Sequence, residues 1–230
     1  MTNLQLNGTI ALPHDGAARW EPARENSQGT GMKKTLVVSA AALALSGCVY
    51  NKQTATLAPT VVVAKTNEGE GALVGLRVVD ERPTKSLGHR GNIGGRGAEI
   101  TTNQDLAVVV QSKISEGLSN RGYKVVPYDG ASTKLSVELR SLEYSTSTGF
   151  WSGGVAVNAA MKAVAIKPGD TYEKMYRSDA ERRVQFVPTA GKNEQDLNNG
   201  VSAIIADLFA DVGLFKFIRA TQGASGTVGD

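Results

Sequence analysis

Cysteine and histidine are nearly absent from this sequence, which has one cysteine and two histidines in 230 residues. A single cysteine excludes an intramolecular disulfide and a cysteine-rich zinc site. Because His14 lies far upstream in a polar segment, a metal site or a histidine-based nucleophile in the folded part would depend on His89 alone. These absences argue against most metal and nucleophile chemistry, and they leave the single cysteine to be explained.

A strong charge of one sign is also missing. The chain carries 25 lysine and arginine residues against 22 acidic ones, and this balance gives no reason to expect nucleic acid or a polybasic membrane contact. The hydrophobic fraction of 41% is ordinary for a globular protein and is sufficient to bury a core. The length suits one domain with tails better than two domains.

The cysteine lies at the end of a secretory signal pattern. Lys33 and Lys34 provide a positive start, an apolar run of about ten residues follows, and small residues precede Cys48. The apolar run is too short to span a bilayer. The segment Leu45-Ser46-Gly47-Cys48 resembles the lipobox of bacterial lipoproteins. This resemblance implies that Cys48 is acylated, with palmitate-type chains, and becomes the first residue of the mature protein.

The lipoprotein pattern divides the N-terminal part of the chain into segments. Residues 1–31 lack periodicity and are expected to be disordered or a mis-assigned upstream start, whereas residues 32–47 form the signal peptide. Residues 48–71 are expected to be the lipid anchor and a flexible tether, with 60–63 as a short edge strand. In enterobacterial lipoproteins an aspartate after the cysteine commonly specifies the inner membrane. Val49 therefore favours the outer membrane, with the domain on its periplasmic side.

A β-α-β unit is expected at the start of the domain. Residues 72–80 are an apolar, valine-rich run of strand length. Residues 102–121 carry apolar side chains at helical spacing, with Thr101 or Thr102 as a cap. Residues 123–127 then form a second strand. The two strands should lie parallel and be joined by a right-handed crossover.

An antiparallel meander and a helix complete the domain. Alternation of apolar with polar or small residues predicts three strands at 135–144, 155–166 and 172–187. On the last strand, the expected solvent face contains Glu173, Arg177, Asp179, Glu181 and Arg183. Its expected inner face contains Tyr172, Tyr176, Ala180, Val184 and Phe186. A helix from about Asn193 to Phe217 follows, and residues 220–230 are a flexible tail. The fold class is therefore α+β, with two helices packed on one mixed sheet in a single domain over 72–219.

Residues with chemical potential are few. The glycine-rich loop 87–97 lacks the third glycine of a dinucleotide-binding pattern and has no lysine-serine/threonine ending, so phosphate binding is not favoured. A solvated surface position is the expected role of His89 in this loop. Asp80, Glu81 and Arg82 are expected to be a charge pair at the end of a strand rather than a catalytic set.

Two adjacent aromatic residues are the stronger surface candidates. Phe150 and Trp151 lie in a predicted hairpin loop between glycine and serine residues. Large aromatic side chains are costly to expose to water and often anchor contacts with a partner. Packing over the sheet edge is the competing explanation for this pair.

Four features occur in a fixed order and spacing along the chain: the segment 45–48, the strand end 78–82, the helix end 117–123 and the C-terminal helix over 193–218. In these features the chain resembles the YajG-type family of bacterial lipoproteins. The resemblance covers essentially all of Met32 to Arg219 and implies an architecture rather than an activity. A more distant similarity to periplasmic domains of the curli-secretion and TolB amino-terminal type implies binding to other envelope proteins.

Two functions remain as hypotheses. The first is a non-enzymatic, lipid-anchored interaction or assembly module that holds an envelope protein through its sheet edge or through Phe150 and Trp151. The second is a periplasmic ligand-binding or hydrolytic domain that uses the loop around His89. We expect no cofactor, no metal and no nucleic-acid partner. A pocket near Asp80 and His89 with convergent polar groups would favour the second hypothesis.

Overall fold

The structure is a computed structural model that describes residues 51–93, 96–148, 153–186 and 188–219. Its strands are β1 (Gln53–Thr54), β2 (Leu73–Asp80), β3 (Gly88–Ile93), β4 (Arg96–Thr101), β5 (Lys124–Pro127), β6 (Lys134–Thr148), β7 (Gly153–Lys167) and β8 (Asp170–Val184). Its helices are α1 (Leu106–Asn120), α2 (Ala190–Ala210) and α3 (Val212–Arg219). The predicted signal peptide with Cys48, the aromatic pair Phe150 and Trp151, and the tail 220–230 lie outside the described residues.

All of the strands belong to one mixed sheet, in which β6 is the branch point. Along one side of β6, residues 134–139 pair in parallel with β2, and Tyr144 then pairs with Gly88 of β3. Along its other side, β6 pairs with β7 in antiparallel orientation over its whole length, and β7 pairs with β8 in the same way. The predicted mixed α+β fold and the predicted meander are confirmed.

The predicted β-α-β unit is also confirmed, because β2 and β5 pair in parallel and α1 connects them. The helix begins later than the sequence indicated. The Thr102 hydroxyl accepts a bond from the Gln104 amide in a preceding turn, whereas the Asp105 carboxylate accepts bonds from the amides of Ala107 and Val108. Asp105 is therefore the N-cap that satisfies the free amides of the first turn.

The prediction of an irregular glycine-rich loop over 87–97 is wrong, because β3 and β4 form an antiparallel hairpin there. Gly88 has a φ of 111°, and a Cβ atom at this position would lie 1.9 Å from the carbonyl oxygen of Tyr144. A glycine is therefore required for β3 to approach β6. Gly88 therefore permits strand pairing at this point.

The predicted C-terminal helix is interrupted at Asp211, so that three helices cover the sheet rather than two. Asp211 has an extended backbone, and its carboxylate accepts bonds from the amides of Gly213 and Leu214 at the start of α3. The apolar periodicity continues through the interruption, and for this reason the sequence indicated a single helix. A side-chain cap thus ends one helix and begins the next.

The core lies between the sheet and the helices. Alternate residues of β6 and β7 point into it, and the buried face of α2 includes Leu197, Val201, Ile204, Ile205 and Leu208. Glycine residues set the distance between elements at two points. A Cβ atom on Gly200 would lie 2.9 Å from Val157, and one on Gly117 would lie 2.2 Å from the ring of Phe209. Close packing of α2 on the sheet and on α1 depends on these missing side chains.

Residues 53–60 were expected to be part of a flexible tether, and the structure corrects this interpretation. Ala55, Leu57 and Pro59 are buried, whereas the residues between them are exposed. The segment has the alternation of a strand, yet only Gln53 and Thr54 pair with β4. Residues 60–63 are not a strand either. The folded part of the chain therefore includes about twenty residues more than predicted.

Helix α2 takes the place of a neighbouring strand for this segment. The amides of Thr56, Ala58 and Thr60 donate to the side chains of Glu194, Asn198 and Ser202, respectively. Two residues of extended chain advance about 6.6 Å, and four residues of helix advance about 6 Å, so the donors and acceptors stay in step. On the opposite side, the amide of Gln104 bonds both the N–H and the carbonyl of Leu57. These bonds provide partners for backbone groups of residues 56–60, which have no neighbouring strand to pair with.

Candidate interaction surface

The outer strand β8 offers the longest unpaired edge of the sheet. Among the described strands, β8 pairs only with β7, and its pairing runs without interruption from Asp170 to Val184. A two-residue turn, Pro168–Gly169, joins the two strands, and Gly169 has the positive φ of 85° that the turn requires. We call the side of β8 that faces away from β7 the β8 edge.

The turn determines which backbone groups the β8 edge presents. Lys167 and Asp170 flank the two-residue turn, and such a pair exchanges hydrogen bonds across a hairpin. Hydrogen-bonded and non-hydrogen-bonded pairs alternate along antiparallel strands. Even-numbered residues of β8 therefore direct their N–H and C=O groups to β7. Odd-numbered residues direct theirs outward, where they are available to another strand.

The odd-numbered residues also carry the charges of the solvent face, as predicted. The exposed charged side chains on this face are Glu173, Arg177, Asp179, Glu181 and Arg183. Glu173 forms an ion pair with Lys162 of β7 at 2.6 Å. The other members have no ion-pair partner among the described residues. The β8 edge is therefore bordered by a row of unpaired charges of both signs.

The opposite face of β8 is only partly covered, so the prediction of a continuous inner face is wrong in part. Tyr176 is buried and Tyr172 is half-buried, whereas Ala180 is exposed. Phe186 is 84% exposed, because it lies beyond the end of β8 and before the start of α2. A large aromatic side chain thus remains in water at the end of the strand, where it is available to a partner.

Asp211 anchors the covered part of this face. One oxygen of its carboxylate accepts bonds from the hydroxyls of Tyr176 at 2.6 Å and Tyr172 at 2.9 Å, and Lys174 lies 3.1 Å away. Burial alone would raise the pKa of Asp211, but the bonds from Tyr176, Lys174 and Tyr172 outweigh it and lower the pKa to about 2. Burial together with the bond to Asp211 raises the pKa of Tyr176. This cluster was not predicted from the sequence, although Asp211 within a periodic helix, two residues before Gly213, is a possible capping position.

The far end of β6, β7 and β8 leads to the predicted aromatic loop. Phe150 and Trp151 are outside the described residues, but the strands on either side are paired up to Thr148 and Gly153. A cleft of about 810 Å³ lies at this end, lined by residues of all three strands, including Ser147 and Arg183. The role of the aromatic pair in binding therefore stays a prediction.

The acidic and basic residues that follow β2 form a closed ion pair. Arg82 is buried and donates two bonds to the Asp80 carboxylate, at 2.9 and 3.0 Å, and Lys85 donates a third at 2.8 Å. Glu81 instead pairs with Arg140 at 3.0 Å on the exposed side. Burial would raise the pKa of Asp80, but the bonds from Arg82 and Lys85 lower it to about 2. A carboxylate with this pKa is a poor proton acceptor at neutral pH, so the group is suited to structure rather than to catalysis.

His89 does not join this ion pair. It is an exposed residue of β3 opposite Glu99 of β4. A cleft of about 520 Å³ beside Asp80 is lined by the end of β2 and by residues 102–107, and His89 is not among its lining residues. The described parts of the chain contain no group of three or more histidine, cysteine, aspartate or glutamate residues arranged to hold a metal ion. The structure therefore does not bring the proposed acid-base residues together.

Within the described ranges, no helix has the length and apolar character needed to cross a membrane.

A comparison with curated proteins gives no match. Several solved structures are similar in part. Protein XCC0632 from Xanthomonas campestris has 11% identity and a TM-score of 0.43, and the match covers 69% of this chain and 90% of that one. Lipoprotein GNA1162 from Neisseria meningitidis has 14% identity and a TM-score of 0.28, over 61% and 99% of the two chains. These likenesses are too distant to bear on function.

A family model gives the decisive match. The model, described as an uncharacterized lipoprotein, matches residues 59–219 of this chain. The matched range includes every element from β2 to α3, together with the cleft beside Asp80 and the whole β8 edge. The chain therefore belongs to the YajG-type family of uncharacterized lipoproteins.

Proposed function

We propose that this protein is a lipid-anchored, non-enzymatic interaction module on the periplasmic side of the bacterial outer membrane. Cys48 would be acylated after cleavage of the signal peptide, and the domain that begins near Gln53 would hold another envelope protein. Membership of a lipoprotein family and the segment Leu45-Ser46-Gly47-Cys48 support the anchor. Val49, rather than aspartate, after the cysteine supports the outer membrane. A multiply acylated cysteine is a stable anchor, because buried methylene groups contribute about 0.8 kcal/mol each.

The β8 edge is the observation that carries the interaction role. Its outward N–H and C=O groups extend over the 15 residues of β8, a length of about 50 Å. Native proteins usually shorten or cover such an edge, because it recruits other strands. Recognition by strand addition uses this kind of surface. The exposed Phe186 at one end adds an aromatic contact of the type found at the centre of interfaces.

The arrangement of the polar residues weighs against the alternative of a hydrolytic or ligand-binding domain. Asp80 is held as a carboxylate by Arg82 and Lys85. His89 lies on a different strand and does not line the neighbouring cleft. General acid-base catalysis needs a group whose pKa is close to the working pH and which can reach the substrate. Asp80 does not meet the first requirement, because its pKa is lowered to about 2, and the cleft beside it does not include His89.

The anchor is tested by Cys48→Ala in the native host, with Ser46→Ala as the matched control. We expect Cys48→Ala to lose labelling by an alkyne-bearing palmitate analogue and to keep its signal peptide. Ser46→Ala retains a small residue before the cysteine, so it should be labelled and cleaved. Unchanged labelling of Cys48→Ala would contradict the proposal. Separation of the membranes on a density gradient then tests the outer-membrane location, which recovery in the inner-membrane fraction would refute.

A further inference from the structure

The charges along β8 restrict the strands that the β8 edge accepts. In an antiparallel pair, residues directly opposite each other lie on the same face, about 4.5 to 5.5 Å apart, and like charges at that distance are unfavourable. The unpaired charges on β8 run positive, negative, negative, positive, in the order Arg177, Asp179, Glu181, Arg183. A strand without the complementary order would place like charges in contact. The occupant must therefore match this pattern.

We propose that the occupant is β8 of a second copy of this chain, paired antiparallel about a two-fold axis that passes beside Ser178. The register places Arg177 opposite Asp179 of the second copy and Glu173 opposite Arg183 of the second copy. Because the axis repeats each contact, four opposite-charge pairs form across the interface, and two of them use Glu173, which also contacts Lys162 of its own chain. Both copies then present their helices on the same face of one continuous sheet. The structure supplies this complementarity within a single strand.

Neighbouring registers lack this match. A shift by two residues in one direction places Arg177 opposite Arg177 and Glu173 opposite Glu181. A shift in the other direction places Asp179 opposite Asp179, although Arg177 then meets Glu181. Shifts by a single residue are excluded because they would set the two helical layers on opposite faces. Among these three registers, only the one centred on Ser178 avoids like-charge contacts on the solvent face.

The helix face of β8 is compatible with the same register. It places Lys174 opposite Arg182 of the second copy, but each of these cations already contacts a carboxylate of its own chain. Lys174 lies 3.1 Å from Asp211, and Arg182 lies 2.6 Å from Asp196. The exposed Phe186, two residues beyond the end of β8, lies in this register near the start of β8 of the second copy.

The inference shares with the proposed function only the use of the β8 edge, and it does not require the lipid anchor. Cysteine cross-linking of the full chain in isolated host membranes tests it. Ser178 belongs to a non-hydrogen-bonded pair, whose Cα atoms are about 4.5 Å apart, and disulfides span this separation. Ser178→Cys should therefore give a disulfide-linked dimer on oxidation. Thr171→Cys is the matched control, because its two copies would be roughly 45 Å apart.

Charge exchange provides the second arm. Arg177→Asp and Asp179→Arg each replace two attractive pairs by two repulsive ones, so either change should lower the Ser178→Cys cross-link about tenfold or more. The double variant R177D/D179R recreates opposite charges and should restore the cross-link. Both side chains are exposed, so neither single change should unfold the domain. Recovery of the cross-link in the double variant would confirm this, because it contains both changes.

The outcomes separate this inference from the proposed function. A dimer that depends on the charges and is absent for Thr171→Cys supports pairing of two copies. Equal cross-linking at the two positions, or failure of the double variant to recover, would overturn it. If Ser178→Cys is captured by a different protein instead, pairing with a second copy is wrong, while the β8 edge remains an interaction surface. The unsubstituted chain, in which Cys48 is the only cysteine, should give no disulfide-linked dimer and shows that the native cysteine does not contribute.

Discussion

The two lateral edges of the sheet end in different ways. On one side the outermost strands are short, with two residues in β1 and four in β5. The chain beyond β1 is tied to α2 by bonds between its backbone and side chains. On the other side β8 runs for 15 residues with no further strand beside it among the described residues, and it carries four charges without an ion-pair partner there. Backbone groups beyond β1 thus stabilise the fold, whereas the outward groups of β8 have no strand partner among the described residues.

The largest expected difference between the two sides concerns glycine residues with positive φ. Gly88 has a φ of 111° and no room for a Cβ atom, and it joins the short-strand side to β6. Gly169 has a φ of 85° at the start of β8, with no atom within 4 Å of a Cβ. We expect Gly88→Ala to destabilise by about 4 kcal/mol, because strain and overlap combine, and Gly169→Ala by about 1 kcal/mol. Urea unfolding measures both, and equal losses would refute the distinction.

Sequence periodicity was sufficient for the elements that carry a regular apolar pattern of their own. The pattern in 72–80 and in 102–121 predicted β2 and α1, and alternation predicted β6, β7 and β8. The charged face of β8 was also predicted, since residues two apart on a strand share a face. The availability of the β8 edge was not predicted, because it depends on which strand lies outermost.

Periodicity failed where a partner is distant in sequence. Leu57 lies in a polar segment, and the acceptors that order its neighbours are 138 to 142 residues away on α2. One signal was present in the sequence: Glu194, Asn198 and Ser202 recur at intervals of four, which aligns polar acceptors along one side of a helix. The spacing alone does not show that these side chains bind the extended segment 53–60, which lies far away in the sequence.

We expect residues 53–60, which are bonded to α2, to contribute to the stability of the fold. Leu57 is 2% exposed, whereas Val62, five residues further along, is 92% exposed. Leu57→Ala should lower the free energy of unfolding by about 3 kcal/mol, because it removes buried methyl groups and leaves a cavity. Val62→Ala should have an effect below about 0.5 kcal/mol. Thermal or urea unfolding of both variants gives the comparison. Similar, small losses would mean that residues 53–60 act as a tether after all.

The third prediction compares the two sides by their response to acid. Asp80 lies at the end of β2 and Asp211 lies beneath β8, and the pKa of each is lowered from 3.8 to about 2. A carboxylate whose pKa is lower in the folded state stabilises the fold above its unfolded pKa and loses that contribution as the pH falls towards its folded pKa. Each group should therefore contribute about 2 kcal/mol that disappears between about pH 4 and pH 2.

Variants assign the acid response to each side. Asp80→Asn and Asp211→Asn should each reduce the decrease in unfolding free energy between pH 5 and pH 2 by about 2 kcal/mol, because each removes one titrating group. Both should also lower stability at neutral pH, since the cations and hydroxyls around them lose a charged acceptor. Asp207→Asn, at an exposed residue with no ion pair among the described residues, is the control and should leave the decrease intact. If Asp211→Asn alone abolished the acid response, the β8 side would account for it, and the ion pair of Asp80 and Arg82 would contribute nothing beyond packing.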